Sequence, residues 1–270
     1  MTFFPSRTIA LSIGSVSVHW YGVMYLLAFL LAMELIPRLQ GKRGLALSRD
    51  QRDSLILSLF FGVLLGGRLG FALFYGGWEY WSHPLRILAI WEGGMSSHGG
   101  FIGVAIALIL FARRQRISLL ALTDILVIPA AIGLAFGRVG NLINGELFGT
   151  VTSLPWGMHF PGTEGLRHPT QIYAVLKDLL IAGVCFLHLK KSSGQGEVQY
   201  GKTTAIFLVL YAVLRFLVEY FREQTYGFFS VLGFRLSEGQ LLSIPIFLAG
   251  VILAVVLKVR TKRSPVSEVP

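Results

Sequence analysis

Seven apolar stretches, each close to the roughly 20 residues needed to cross the hydrocarbon of a bilayer, constrain this chain more than any other feature. They run from Trp20 to Ile36, Ser54 to Tyr75, Gly94 to Ala112, Leu119 to Phe136, Ile172 to Leu189, Thr203 to Tyr220 and Leu241 to Leu257. With 54% hydrophobic and only 14% charged residues, the chain is no soluble globule. The pattern predicts an all-α integral membrane protein of about seven transmembrane helices. The third stretch is weakened by Ser96, Ser97 and His98, and the fifth by Lys177 and Asp178. The N-terminus has neither a basic leader nor a small-residue cleavage pattern, so the first stretch is expected to remain as a span.

The net charge of +10 could suggest nucleic acid, but the distribution of the 24 basic residues argues for membrane anchoring and against a nucleic-acid partner. Fifteen fall in one alternating set of connections: Arg38 to Arg52, Arg113 to Arg116, Lys190 to Lys202, and Lys258 to Arg263. Six fall in the other set (Arg7, Arg86, Arg138, Arg167, Arg222 and Arg235), while Arg68, Lys177 and Arg215 lie within stretches. The bias places the N-terminus outside and the C-terminus in the cytoplasm. Trp20, Trp78, Trp81, Trp91 and Trp156 all fall on the outer side, as an aromatic belt would.

Residues 1–263 are expected to form one polytopic membrane domain. Within it, the Gly- and Pro-containing connection 145–168 would form a small outer-face cap, and residues 264–270 a disordered tail. Gly62-x3-Gly66, Gly66-x3-Gly70 and Gly133-x3-Gly137 have the spacing that lets helix backbones approach. Cys185 lies in an apolar run and reads as packing. No spacing suggests a disulfide, a metal site or a haem, and no metal, nucleotide or organic cofactor is expected.

Charged groups at membrane depth cost about 2.5–3.5 kcal/mol even on lenient scales, so an arginine there needs a partner or a task. Tyr211, Arg215, Glu219 and Arg222 follow a spacing that would put them on one helical face. They read either as a structural Arg215–Glu219 pair with Arg222 reaching the interface, or as a stripe that binds an anionic headgroup. The run Gly137 to Gly149 holds Arg138, Asn141, Asn144 and Glu146 among four glycines, which would permit irregular backbone around a ligand or a plain re-entrant turn. His98 reads either as a helix–helix hydrogen bonder or as a base. Arg215 lies about 18 Å from the cytoplasmic end of its stretch and His98 about 22 Å from Arg113, so both fall in the outer part of the bilayer with Arg138, Asn141, Asn144 and Tyr21. Guanidiniums and amides in one layer suit a phosphate ester at headgroup level.

His19-Trp20-Tyr21-Gly22, His98-Gly99-Gly100, the Gly137 to Gly149 run, His168-Pro169-Thr170-Gln171-Ile172-Tyr173 and Tyr211-x3-Arg215-x3-Glu219 occur in this order along nearly the whole chain. Together they resemble the prolipoprotein diacylglyceryl transferases of bacteria. The resemblance implies a multi-pass inner-membrane enzyme that moves the diacylglyceryl group of phosphatidylglycerol to the thiol of a lipobox cysteine in a prolipoprotein signal peptide. A thioether lipid forms and glycerol phosphate leaves, the first step of lipoprotein maturation. It also implies that Arg138 and Arg215 match essential arginines, with Arg138 contacting phosphatidylglycerol, and that His98 matches a proposed base. Tyr21, Asn141, Asn144, Glu146, Gly149 and Glu219 match other functional positions, with Arg68, Tyr211 and Arg222 in support. One departure stands out: Ala174 occupies a place where the family often has an acidic residue.

Physical chemistry fits that reaction. As the glycerol carbon–oxygen bond breaks, negative charge gathers on the leaving phosphate, where preorganised arginines lower the barrier. The thiol must lose its proton, to His98 or with help from the arginine field. An anionic-lipid transporter would share the arginines but usually carries internal repeats, which are not evident here. A serine hydrolase built on Ser96, Ser97 and His98 lacks a nucleophile elbow. A purely structural scaffold leaves Arg138 and Arg215 unexplained.

Overall fold

A computed structural model describes residues 8–14, 16–89, 93–193, 199–224, 227–231 and 233–263. The expected tail 264–270, Arg7 and Trp91 lie outside the described residues. Eight helices occur among them: α1 (Trp20–Gln40), α2 (Arg49–Phe74), α3 (Gly77–Ser82), α4 (Ser97–Gln115), α5 (Leu119–Asn144), α6 (Thr170–Ser192), α7 (Lys202–Glu219) and α8 (Glu238–Arg263). Two antiparallel hairpins, β1 (Ile9–Ile13) with β2 (Val16–His19) and β3 (Phe229–Val231) with β4 (Phe234–Leu236), add a minor element that the apolar pattern does not foretell. All seven apolar stretches coincide with helices. Among the described residues, five helical segments are long and apolar enough to cross a membrane: Trp20–Arg43, Arg49–Phe74, Leu119–Asn144, Thr170–Ser192 and Glu238–Arg260.

Helix boundaries extend past the apolar runs where capping chemistry allows. α2 starts at Arg49 rather than Ser54 because Ser48 and Gln51 form a reciprocal cap, Ser48 Oγ accepting from Gln51 N at 3.2 Å and Gln51 Oε1 from Ser48 N at 2.9 Å. α8 starts at Glu238 through the same device between Ser237 and Gln240. α6 runs unbroken through Lys177 and Asp178, which are buried and ion-paired to each other. The helix surfaces invert the soluble pattern: Leu26, Leu65, Leu110, Leu187 and Ile252 are exposed while Arg68, Lys177, Asp178 and Glu219 are buried.

The chain divides into two compact units, one comprising Met33–Leu122 and the other the residues before and after that segment. In the Met33–Leu122 unit, α2 packs on α4 through Gly62, Gly66 and Gly70, whose partners are Gly99 and Gly103. A Cβ on Gly66 would collide with the Gly99 carbonyl oxygen, and one on Gly103 with that of Gly62. Arg68, also on α2 and 2% exposed, donates to the carbonyl oxygens of Arg86, Ile87, Ala89, Gly93 and Gly94, and lies over the Tyr80 ring. One guanidinium thus satisfies the backbone of a connection that has little regular structure of its own. Gly67 O accepts from Ser96 N at 2.9 Å, and Ser96 Oγ caps α4 by accepting from Gly99 N at 3.2 Å.

In the other unit, Asp124 of α5 is fully buried and fixes the start of α7. Its carboxylate accepts from Gly201 N at 2.9 Å and from both Thr204 N and Thr204 Oγ1 at 2.8 Å. α7 and α8 come together at Gly250, where a Cβ would stand 2.9 Å from Leu208 Cβ. Gly133 approaches Ala28 of α1, whereas Gly137 meets nothing within 4 Å, so only one glycine of that pair serves packing.

Gly66→Val and Gly103→Val are each expected to destabilise the protein by about 1–3 kcal/mol through α2–α4 separation, read as a lower thermal midpoint in detergent. Gly137→Ala should be neutral. Equal midpoints for all three would show that the close approach carries no weight.

Candidate functional site

The Gly137 to Gly149 run does not form the irregular backbone expected from its glycines, because α5 stays helical through Asn144. It then stops in a Schellman turn: Gly145 takes φ +70°, Gly145 N donates to Leu142 O at 3.1 Å and Glu146 N to Asn141 O at 3.0 Å. This reversal folds Glu146 back onto the last turn of α5. Its Oε1 accepts from Asn144 Nδ2 at 3.0 Å and from the Tyr21 hydroxyl, which in turn accepts from Asn141 Nδ2. One turn earlier, Arg138 Nη1 donates to Asn141 Oδ1 at 3.1 Å. Gly140 leaves room for the Tyr21 ring, since a Cβ there would stand 3.2 Å from it. Arg138, Asn141, Tyr21, Glu146 and Asn144 therefore form one hydrogen-bonded chain joining α1 to α5.

The first turn of α6 holds the segment beyond Glu146. Gln171 Nε2 donates to Glu146 O at 2.7 Å and Thr170 Oγ1 to Leu147 O at 2.8 Å. Leu147 sits at φ +59°, a strained left-handed conformation for a branched residue, so this clamping has a physical purpose. Gly149 follows, enclosed between two backbones: its N–H donates to His168 O at 2.8 Å and it bridges to Arg222. A Cβ there would meet Phe221 O and stand 2.6 Å from His168 Cβ. The family-like motif from His168 to Tyr173 thus shapes the path of residues 146–149, while His168 Nδ1 pairs with the Tyr173 hydroxyl at 3.0 Å.

Glu219, 4% exposed, organises the second cluster. Arg215 Nη2 lies 3.5 Å and Arg222 Nη1 3.7 Å from its carboxylate, and Gln224 Nε2 donates to it at 3.4 Å. Gly239 of α8 leaves the space this carboxylate fills, a Cβ there standing 2.6 Å from Glu219 Oε2. Arg222 does not continue the helical stripe that its spacing suggests, because α7 ends at Glu219. It returns to Glu219 from the following turn, neither on the helix face nor free at the interface. Burial pushes the Arg222 guanidinium down from its ordinary value while Glu219 raises it, and the charges of Arg215 and Arg138 add to the lowering. The charges of Arg138 and Arg215 also act on the Lys177–Asp178 pair, and Lys177 Nζ lies 4.6 Å from the Tyr211 ring centroid.

These contacts make the local charge asymmetric. Lys177 and Asp178 cancel, Glu219 is shared by two guanidiniums, and Glu146 is held by a phenol and two amides. Arg138 has no carboxylate within ion-pair distance among the described residues. The excess cation in this layer is suited to a monoanionic phosphodiester, whose oxygens match the planar fork of arginine. Among the described residues, no group of three or more His, Cys, Asp or Glu side chains could hold a metal ion.

Of the residues singled out in the sequence, Tyr21, Arg138, Asn141, Asn144, Glu146, Gly149, Tyr211, Arg215, Glu219 and Arg222 belong to this unit. His98, exposed in the first turn of α4, and Arg68 belong to the Met33–Leu122 unit. Sequence spacing does not mark Lys177, Asp178, Thr170 or Gln171 as neighbours of the site. For Lys177 and Asp178 the available signal is a polar pair inside an apolar stretch, which by itself reads only as a weak span; for Thr170 and Gln171 it is their place in the His168 to Tyr173 motif.

Comparison with known proteins bears on the same residues. A family model described as prolipoprotein diacylglyceryl transferase matches residues 8–256. The phosphatidylglycerol–prolipoprotein diacylglyceryl transferase of Geobacter sulfurreducens is 44% identical over 92% of this chain and 94% of its own length. The proteins of the same name from Nitrosomonas europaea and Bordetella avium are 44% and 42% identical, over 91% and 98% of this chain and 87% and 100% of theirs.

Gly149→Ala is expected to destabilise the 146–151 and 166–169 backbone by roughly 2–3 kcal/mol, measured as faster amide hydrogen exchange there. Gly183→Ala, whose Cβ would meet nothing within 4 Å, should leave exchange unchanged. Unchanged exchange in Gly149→Ala would show that this enclosure does not constrain the segment.

Proposed function

The chain belongs to the prolipoprotein diacylglyceryl transferase family, and on that premise we propose that it transfers the diacylglyceryl group of phosphatidylglycerol to the lipobox cysteine of prolipoproteins. The observation that carries this reading is Arg138: a guanidinium on an apolar helix, oriented by Asn141, with no carboxylate of its own among the described residues. A phosphodiester is the anion it lacks. The protein works as a multi-pass enzyme of the bacterial inner membrane, with seven spans, the N-terminus outside and the C-terminus cytoplasmic. The less apolar spans α4 and α7 carry charged residues at their cytoplasmic ends, Arg113 and Arg114 on α4 and Lys202 on α7.

In this reading Arg138 and Arg215 receive the phosphate. The cysteine sulfur attacks the glycerol carbon that bears the phosphate oxygen, a carbon–sulfur bond forms, and the carbon–oxygen electron pair leaves with glycerol phosphate. The two arginines stabilise the charge that develops on the departing oxygens. The thiol proton passes to His98, or the thiolate forms directly in the arginine field, and the arginines rank above His98 because deprotonation has more than one route. Asn141 and Tyr21 aim Arg138, Asn144 and Glu146 complete its support, and Glu219 aims Arg215 with Arg222 beside it. Tyr211 and Arg68 act at one remove, Tyr211 by covering Lys177 and Arg68 by anchoring the connection that precedes His98.

Arg138→Ala and Arg215→Ala are each expected to lower transfer of labelled diacylglyceryl from phosphatidylglycerol to a lipobox peptide by about 10²–10³-fold, with glycerol phosphate release falling in parallel. Arg138→Lys should restore charge but not the two-pronged contact and remain well below wild type. His98→Ala should keep measurable turnover that rises with pH. Full activity in either arginine variant would sink this assignment, and a folded, lipid-binding but dead His98→Ala would reverse the ranking.

A further inference from the structure

A groove of about 770 Å³ lies among α6, α7 and α8, at the end of α7 opposite to Glu219. Lys202 opens α7 and Glu219 closes it, so about 25 Å of helix separate this groove from the candidate site. Its origin is geometric. α7 and α8 touch closely at Gly250, and two turns further along α8 the side chain of Lys258 lines an opening, so the helices leave a wedge. Val184, Ala205, Ile206, Val209, Leu210 and Ala254 form its apolar walls, with His188 and Gln199 beside them. Lys202 and Lys258 line it as well, both exposed, and neither has a carboxylate within ion-pair distance among the described residues.

An apolar trough bearing two ammonium groups matches an amphiphile with one anionic end. A soluble anion would leave the apolar walls without a partner, and a neutral hydrocarbon would leave the lysines without one. The volume falls in the range of single bound small molecules. Basic residues between transmembrane helices attract anionic headgroups with useful strength when they stand near the membrane surface. From this charge complementarity we infer that the groove is a second lipid site, holding one anionic phospholipid with its phosphate between Lys202 and Lys258 and part of an acyl chain along Ala205 and Ala254. The inference rests on the membrane-spanning reading above but not on the transfer chemistry. A bound lipid would wedge α7 and α8 at their basic ends, below the Gly250 contact, and so complete the packing of the helix that carries Arg215.

Native mass spectrometry of the full-length protein, delipidated in detergent and titrated with phosphatidylglycerol or phosphatidylcholine, tests this site. Wild type is expected to retain one phosphatidylglycerol more than K202Q/K258Q, whose binding at this site should weaken roughly tenfold or more, with no such difference for phosphatidylcholine. A254L, which narrows the wedge at an exposed wall position and keeps both lysines, should lose the same lipid while retaining its thermal midpoint. Equal phosphatidylglycerol counts for wild type and K202Q/K258Q, or equal retention of phosphatidylcholine, would overturn the proposal. Transfer activity, measured in parallel on wild type and Arg138→Ala, reports separately on the reaction at the other end of the helices. Failure there leaves the lipid count standing, and the reverse also holds.

Discussion

A charge enclosed by hydrocarbon must find its counterpart inside the protein, and this requirement governs where nearly every polar group in the structure lies. Arg68 meets it with five carbonyl oxygens, Lys177 with Asp178, and Asp124 with the amino end of α7. Each charge finds a partner within the protein, and the first and last of these arrangements tie together segments distant in sequence. Arg138 differs because its protein partner is a neutral amide. On the proposed function, the same rule that makes the other groups structural leaves this one to receive the phosphate of the substrate.

The separation of structural from receptive charge explains why the cluster needs so many neutral hydrogen bonders. Glu146 is fixed by Tyr21, Asn141 and Asn144 and so does not collapse onto Arg138. Glu219 is divided between two arginines, which leaves neither fully neutralised. Carboxylates thus orient the site without cancelling it. The backbone participates as well: Leu147 is kept in an unfavourable conformation by Thr170 and Gln171, and Gly149 is confined between residues 168 and 221. Strain of this kind persists where surrounding contacts over-determine a path, often beside a binding site.

Much of this is legible in the sequence because membrane solvation leaves a coarse imprint. The seven apolar stretches mark the seven long helices, the cost of charge in hydrocarbon points to Arg215, and the Gly- and Asn-rich run around Arg138 marks that residue without any geometry. Sequence and structure part where local chemistry outweighs pattern. Gly137 and Gly140 suggest a broken backbone, yet a helix tolerates glycine when, as at Gly140, Tyr21 packs into the space it leaves, and the break waits for Gly145. Arg222 fits a helical spacing that the helix does not reach. Lys177 and Asp178 weaken a span on hydropathy, although as a mutual pair they cost far less than two separate charges. The hairpins, with strands of three to five residues, are too short for periodicity to reveal.

The first turns of three helices gather in the unit that holds Arg138: Tyr21 of α1 binds Glu146, Thr170 of α6 binds Leu147, and Gly239 of α8 abuts Glu219. Each such turn carries the positive end of a helix dipole, while α5 and α7 bring the negative ends of two. The balance of three against two favours an anion even before side chains are counted. On the proposed function, lipid capture and turnover rest on partly separate foundations: the scaffold alone exerts a weak pull on a headgroup, and the guanidiniums convert that pull into a site able to break a bond.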